Sequence, residues 1–461
     1  MSFLGGVVCA GGLLAEEPAV RNVLFIVSDD LKASSLGAYG NTVCKTPNLD
    51  RLAKEGMVFE RAYCQGTWCD PSRLSFMHSR YRKRSPVALG KHMRDQGVFS
   101  ARVGKIFHMR VPGDIIGGTD GLDAANCWDQ RFNSQGQEAH TPGDYACLNL
   151  NIFTTDLEGR ESTAMANRMF VSVSYEGDGS DQPDAKTASK MAELIQARKG
   201  QRFFLAAGLV RPHYPSVAPK RYFDMYPWET MTLPEVAKGD LDDIPKVAYA
   251  GLIRNGNNPI GQYPDNQKRM WAAYYATVTF MDEQLGRMLD ALEEAGLRES
   301  TAIVFLSDHG YFLGEHTFWQ KKDLREEVVR VPLIISVPGM KPGRSGSFAE
   351  LMDLYPTIAE LMGLPIPKSV QGVSLAPVLR SPEARVRDSA LSFSGRGGVG
   401  LRSDGWSYMR YKNGAEELYQ MRKDPGQFTN LARDPEYSPV LETQRKALDK
   451  RLSDAGMKPR P

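Results

Sequence analysis

The pentapeptide Cys69-Asp70-Pro71-Ser72-Arg73 holds the most reactive combination in the chain. A cysteine becomes a strong nucleophile once ionised, and local charge sets its ionisation. The residues that follow, Leu74 to Arg80, read as an amphipathic helical turn. Pro71 has a pre-set φ and no N–H, which suits the first position of a helix. Cys69 then sits just ahead of a helix N-terminus, where unpaired N–H groups and the dipole favour a thiolate or a bound tetrahedral anion. Arg73, one turn on, can reach back with a planar fork of donors. A buried structural cysteine before an ordinary helix has the same local sequence, so the pentapeptide alone leaves both readings open.

Other chemistry-bearing residues fall at the ends of apolar runs. Asn22 to Ser28 is a continuous apolar run that reads as a strand of a mostly parallel sheet, buried on both faces, and Asp29-Asp30 closes it. In open α/β sheets that edge is where ligands bind. Adjacent carboxylates repel, and a hard divalent cation relieves them; a loop or helix-cap pair is the alternative. Thr301 to Leu306 is a similar run and ends in Ser307-Asp308-His309-Gly310. The strand Ser100–Val103 leads into Gly104-Lys105-Ile106-Phe107-His108, where a Lys and a His three apart can face one site. Arg202 to Leu209 ends in Arg211-Pro212-His213-Tyr214-Pro215, a histidine held on a stiff path between prolines. The run Arg80-Tyr81-Arg82-Lys83-Arg84 is either a solvated helix end or a contact for a polyanion.

Helices must hold these ends in place. Expected helices cover 48–56, 86–96, 184–198, 268–295, 348–362 and 436–455, the longest with an apolar stripe from Met270 to Leu292 and Gly296 as its cap. Asp114–Glu161 and Ala218–Pro264 read as long loops, the first over the site. Three short runs, 390–394, 406–411 and 417–420, suggest a small C-terminal antiparallel sheet. The fold class is α/β with that appendage, divided as a leader 1–20, a catalytic part 21–385 and a C-terminal part 386–461. A 42% share of AVILMFWYC residues supports a large core, and 57 basic against 55 acidic residues argues against a nucleic-acid binder. Phe3 to Ala15 resembles the apolar part of a signal peptide and is too short to span a bilayer, so a periplasmic or secreted protein is expected. Cys127 and Cys147 flank a polar loop and are the expected disulfide pair. No Cys-x-x-Cys spacing points to zinc.

Cys69-Asp70-Pro71-Ser72-Arg73 resembles the Cys-x-Pro-Ser-Arg signature of the type I sulfatases, although the usual Thr-Gly-Arg continuation is here His78-Ser79-Arg80. Gly104 to His108, the Pro212-His213-Tyr214-Pro215 element, and His309 after Asp308 resemble the iduronate-2-sulfatase branch; Gly314 to Lys321 resembles the second long motif of the family. The resemblance implies an alkaline-phosphatase/sulfatase-like fold. It implies that a formylglycine-generating enzyme oxidises Cys69 to an aldehyde whose hydrate attacks a sulfate ester. It implies one Ca2+, or Mg2+, at Asp29, Asp30, Asp308, His309 and the modified Cys69. Arg73, Lys105 and Lys321 would grip the sulfate, His108 would take a proton, and His213 would protonate the leaving group. The implied substrate is a sulfated uronic acid or polysaccharide. A phosphate or phosphonate ester hydrolase of the same superfamily and a non-enzymatic glycan binder are the alternatives.

Overall fold

The computed structural model describes residues 20–160 and 164–458; the apolar run Phe3–Ala15 lies outside the described residues. The strand Asn22–Asp29 is buried along its whole length. Leu24 and Ile26 enter one core cluster, and Val23, Phe25 and Val27 enter the other. A side-chain period of two explains the split, and a strand apolar on both faces must be covered on both. Burying those five side chains contributes roughly 10 kcal/mol before chain entropy is charged against it.

The strand lies inside an eight-stranded sheet. Its order is Gly343–Glu350, Met57–Tyr63, Leu333–Ser336, Thr301–Ser307, Asn22–Asp29, Phe203–Pro212, Phe99–Gly104 and Gln130–Phe132. Five of the seven pairings are parallel, and only Leu333–Ser336 runs against its neighbours. The helix Pro264–Glu294 covers one face, with Pro183–Ala197 packed beside it. Leu354–Leu361 and Cys69–His78 join the cluster on the other face. This is the expected α/β architecture.

The C-terminal part is an antiparallel meander of Ser389–Phe393, Val399–Ser403, Trp406–Arg410 and Glu416–Gln420. The helix Ser438–Asp454 packs on it through Leu441, Leu448 and Leu452. Buried ion pairs tie it to the main body, Arg325 to Glu417 at 2.6 Å and Arg451 to Glu350 at 2.8 Å.

Several expectations are corrected. The helix that carries Cys69 starts at that residue itself, with Trp68 as its cap, so Pro71 lies inside the first turn, where its missing N–H is still harmless. Phe348 to Glu350 belong to a strand because Phe348 pairs with Arg61 in parallel register; the helix begins only at Leu354, after a capping box between Glu350 and Asp353. The segment 114–161 is not structureless: it holds the strands Gln130–Phe132, Asp144–Cys147 and Ile152–Thr154. Val399–Ser403 completes a fourth C-terminal strand that its Gly-rich sequence hid. No disulfide joins Cys127 and Cys147. They stand as buried thiols in separate clusters, Cys127 beside Trp128 and Cys147 beside Tyr145 and Val171.

One close approach fixes the sheet edge. A Cβ on Gly208 would meet the Lys105 backbone at 2.2 Å, and a Cβ on Gly104 would meet the Gly208 carbonyl oxygen at 2.2 Å. Gly208→Ala therefore forces backbone apart and is expected to destabilise the chain by roughly 2–4 kcal/mol in urea unfolding. Gly200→Ala, which meets nothing within 4 Å, should stay near wild type.

Candidate active site

Parallel register brings the site together. Ser28 pairs with Ser307, Asp29 with Pro212 and Gly104 with Gly208. Asp29-Asp30, Asp308-His309, His213 and Lys105 therefore leave neighbouring strands at one carboxyl edge. Asp30 turns out of its strand with φ 65°, a left-handed conformation that Asp tolerates better than most residues. Its backbone is held on both sides. The Tyr274 hydroxyl donates to the Asp30 carbonyl at 2.7 Å, and the Asp30 N–H donates to Asp308 Oδ1 at 3.2 Å.

Cys69 enters from the helix above this edge and is 3% exposed. Its Sγ lies 3.3 Å from Asp29 Oδ1, 3.3 Å from Lys321 Nζ, 3.4 Å from His309 Nε2 and 3.8 Å from Lys105 Nζ. Lys105 pairs with Asp29 Oδ2, and Lys321 with Asp30 Oδ1. Arg73 is wholly buried: Nε donates to Asp308 Oδ2 at 2.8 Å, and Nη1 donates to the Lys105 and Ile106 carbonyls. Arg73 Nη2 has no hydrogen-bond acceptor among the described residues and lies 3.6 Å from Asp29 Oδ1.

The two inner histidines are aimed by their own backbones. His309 Nδ1 donates to the Gly310 carbonyl at 3.0 Å, which turns Nε2 toward Asp30 and Asp308, 3.4 and 3.5 Å away. His213 Nδ1 donates to the Tyr214 carbonyl at 2.6 Å and leaves Nε2 3.7 Å from Asp30 Oδ2. His108 is only partly buried, and its Nδ1 has no hydrogen-bond partner among the described residues. It is close enough to feel the charges of Lys105, Asp29 and Arg73.

Burial and charge together set the protonation of these groups. Burial pushes Asp29 up, but Lys105, with His213 and Arg73, outweighs it and holds the carboxyl well below its usual range. Burial lifts Asp30 to about 7 against the pull of Lys321 and His309. Burial and Asp29 oppose ionisation of Cys69, yet Lys105 and Lys321 win and lower the thiol below its ordinary value. Burial alone would depress His309, but the facing Asp308 raises it to about 9. Burial, then Lys105, takes His108 down to about 4. Burial, then Lys321, holds His213 well below its ordinary value.

Asp29, Cys69, Asp308 and His309 offer ligand atoms that all lie within 4.8 Å of one another, and Asp29, Asp30, Cys69 and His213 form an overlapping set. Asp30 Oδ2 is buried with no hydrogen-bond donor among the described residues. Three carboxylates with an unsatisfied buried oxygen fit a hard divalent cation.

Every residue singled out in the sequence for catalysis or metal binding lies in or beside this cluster. The basic run does not. It follows the far end of a ten-residue helix, about 15 Å from Cys69, and Arg82, Lys83 and Arg84 are exposed, as a solvated helix end would be. Two further cations were not foreseen. Lys322 takes φ 79° and donates its N–H to the Thr67 carbonyl at 2.9 Å, beside the cysteine loop. Arg396 comes from the C-terminal loop that lies on Trp68, where a Cβ on Gly395 would meet the indole at 2.5 Å. Its guanidinium donates to the Ala248 carbonyl at 2.9 Å. Burial, then Lys321 and Arg396, depress the Lys322 ammonium, which places the three cations in one electrostatic neighbourhood. The signal for Arg396 was a lone arginine among the glycines of Gly395-Arg396-Gly397-Gly398.

The chain superposes on a phosphonate monoester hydrolase of Agrobacterium radiobacter with a TM-score of 0.76 and 22% identity, covering 94% of this chain and 96% of that one. The fold is thus of the alkaline-phosphatase/sulfatase type. Within it, the chain belongs to the sulfatase family, whose profile it matches over residues 21–107 and 123–364. The C-terminal profile described as N-sulphoglucosamine sulphohydrolase matches residues 314–454. A sulfatase of Formosa agariphila is 29% identical, with 93% of this chain and 86% of that protein covered. Iduronate 2-sulfatase of Homo sapiens is 31% identical, with 75% of this chain and 70% of that protein covered.

Loading the site with Ca2+ at a hundred times its dissociation constant should stabilise the chain by about 2.7 kcal/mol, raising the thermal midpoint by roughly 3 °C over chelator-treated protein. Asp30→Asn and Asp308→Asn should abolish that calcium-dependent rise in a melting experiment. An equal rise in both variants would place the ion elsewhere.

Proposed function

We propose that this sulfuric ester hydrolase is an exported sulfatase acting on a sulfated sugar, of the uronic-acid or polysaccharide type, through a formylglycine made from Cys69. One observation carries the reading: Cys69 lies against Lys105, Lys321 and His309, with Arg73 fixed on Asp308 and Asp29 beside it. The formylglycine hydrate, once formed by a generating enzyme, supplies the attacking oxygen. A Ca2+ or Mg2+ ion held by Asp29, Asp30, Asp308 and His309 supplies positive charge where the sulfate gathers negative charge.

The protein's own side chains do the rest. Arg73 Nη2, lacking an acceptor, is the donor reserved for a sulfate oxygen. Lys105 and Lys321 flank the same point and stabilise charge as it develops, each worth on the order of 3 kcal/mol in the transition state. His108, neutral above about pH 4, has an open nitrogen that accepts a proton. His213 is kept neutral by burial and by Lys321; the negative ester offsets that cation and lets Nε2 carry the proton that a departing sugar oxygen needs. Lys322 and Arg396 form a cationic rim suited to a second anionic group on the sugar. Similarity to a protein named iduronate 2-sulfatase supports a uronic-acid substrate. Export rests on the apolar run near Phe3, and the division at 385/386 belongs to the same reading.

The likeness to a phosphonate monoester hydrolase favours a second reading, in which phosphorus takes the place of sulfur. Matched sulfate and phosphate esters, offered to enzyme co-produced with a formylglycine-generating partner, separate the two. Sulfate release from sulfated saccharides that vanishes in Cys69→Ala is the expected result. Phosphate release alone would establish the second reading, and sulfate release intact in Cys69→Ala would overturn both the nucleophile and the role of Arg73. His213→Asn should lower kcat on sugar sulfates by about 10²–10⁴-fold while sparing aryl sulfates, whose leaving groups need no proton. Equal losses on both would remove His213 from leaving-group protonation.

A further inference from the structure

A groove of about 680 Å³, lined by none of the residues around Cys69, lies between the strands Asp144–Cys147, Ile152–Thr154 and Val171–Tyr175 and the helix Pro264–Glu294. Its two walls differ in chemistry. One presents the hydroxyls of Ser172 and Ser174, neither of them hydrogen-bonded among the described residues, and the exposed carboxylate of Asp144. The other is aromatic. Phe153 stands 53% exposed, an unusual cost for a large apolar ring in water. The Arg269 guanidinium carbon lies over both rings, 3.9 Å from the Trp228 centroid and 5.6 Å from that of Phe153.

Arg269 makes no ion pair or hydrogen bond among the described residues, so its whole fork of donors is unspent. Arg221, also stacked on an aromatic ring, pairs with Glu283 at 2.9 Å. A guanidinium fixed by stacking, with its edge open, is preorganised to take a planar or tetrahedral oxyanion by two parallel bonds. Exposed aromatic faces beside it offer a surface to the C–H face of a sugar ring, and the serines and Asp144 offer partners for that ring's hydroxyls. The volume suits one or two sugar units.

We propose that this groove is a glycan-binding subsite, separate from the catalytic cluster, that takes a sugar ring bearing a sulfate or a carboxylate. That the ring belongs to the same polymer as the ester being cleaved rests on the reading given under Proposed function; the binding itself does not. The chain path makes joint occupancy reasonable. Ser172 pairs with Ser216, three residues beyond His213, so no more than about 15 Å of backbone separates the groove wall from the catalytic loop. A polymer held at both places is tethered, and the second contact raises its effective concentration at the first.

Native gels cast with heparin, with polygalacturonate or with neutral dextran test this on the full-length protein. Heparin or polygalacturonate should retard the wild type, and Arg269→Ala should lose at least ten-fold in apparent affinity. Phe153→Ala, an exposed position that folding does not need, should lose several-fold, and Arg269→Lys should fall between. Arg433→Ala, an exposed charge elsewhere, should behave as wild type. Turnover of a small aryl sulfate should be unchanged in all four. Retardation of Arg269→Ala and Phe153→Ala equal to wild type would overturn the subsite, as would wild type that neither anionic polymer retards. If no variant or wild type releases sulfate, thermal midpoints report folding instead, and the binding result still decides this proposal independently of the catalytic one.

Discussion

Three carboxylates, those of Asp29, Asp30 and Asp308, are buried together at the carboxyl ends of two paired strands, and the rest of the structure answers to their repulsion. Two unit charges 4 Å apart repel by about 4 kcal/mol at an effective dielectric of 20. Three such pairs cost roughly as much as a whole domain's net stability. The cluster is therefore tolerable only with compensating charge in contact. Lys105, Lys321 and Arg73 supply part of it from three different segments. The unsatisfied oxygen of Asp30 would suit a divalent ion that completes the balance. The same cations that neutralise the carboxylates also surround Cys69, so stabilising the fold and shifting the cysteine's ionisation are one arrangement.

The larger architecture can be understood as support for that cluster. In-register parallel pairing brings acidic ends, the lysine and His213 to one edge. Gly104 and Gly208 let two backbones approach closely enough for Lys105 to reach Asp29. The long helix contributes the Tyr274 hydroxyl that secures Asp30, and the C-terminal meander lays its glycine loop over Trp68. The appendage is thus part of the wall of the site, which accounts for buried ion pairs such as Arg325–Glu417 at its join. Breaking either partner of such a pair would leave a charge without compensation.

Much of this could be read in the chain before the structure. Asn22–Ser28 and Thr301–Leu306 declare themselves because a strand buried on both faces needs an unbroken β-branched and apolar run, and the acidic residues at their ends follow directly. Lys321 could be placed only through resemblance, since nothing local distinguishes it from a surface lysine. Phe348 misled because a short apolar run does not say whether a strand neighbour awaits it; Arg61 does. Cys127 and Cys147 misled because flanking a polar loop says nothing about which layer each side chain enters. The place of Arg396 beside Trp68 and the Arg269 groove were hidden for the same reason, although the glycines around Arg396 mark it as unusual. Each is assembled from segments that only tertiary folding brings together, and no pattern within one segment carries that information.

The pairing of Asn22–Asp29 with Thr301–Ser307 also has a consequence in time. The central strand of the sheet can meet Phe203–Pro212 earlier, but it cannot find its other neighbour until more than two hundred residues beyond Cys69 have been made. At about 5–20 residues per second, synthesis of that stretch lasts on the order of ten to fifty seconds. Throughout that interval the floor of the site is incomplete: Asp29 can pair with Pro212, but Asp308 has not yet come beside it, and the cysteine that ends 3% exposed is on an unfinished chain. A fold built on so distant a contact therefore keeps a clock, and the surroundings that bury Cys69 are complete only when it runs out.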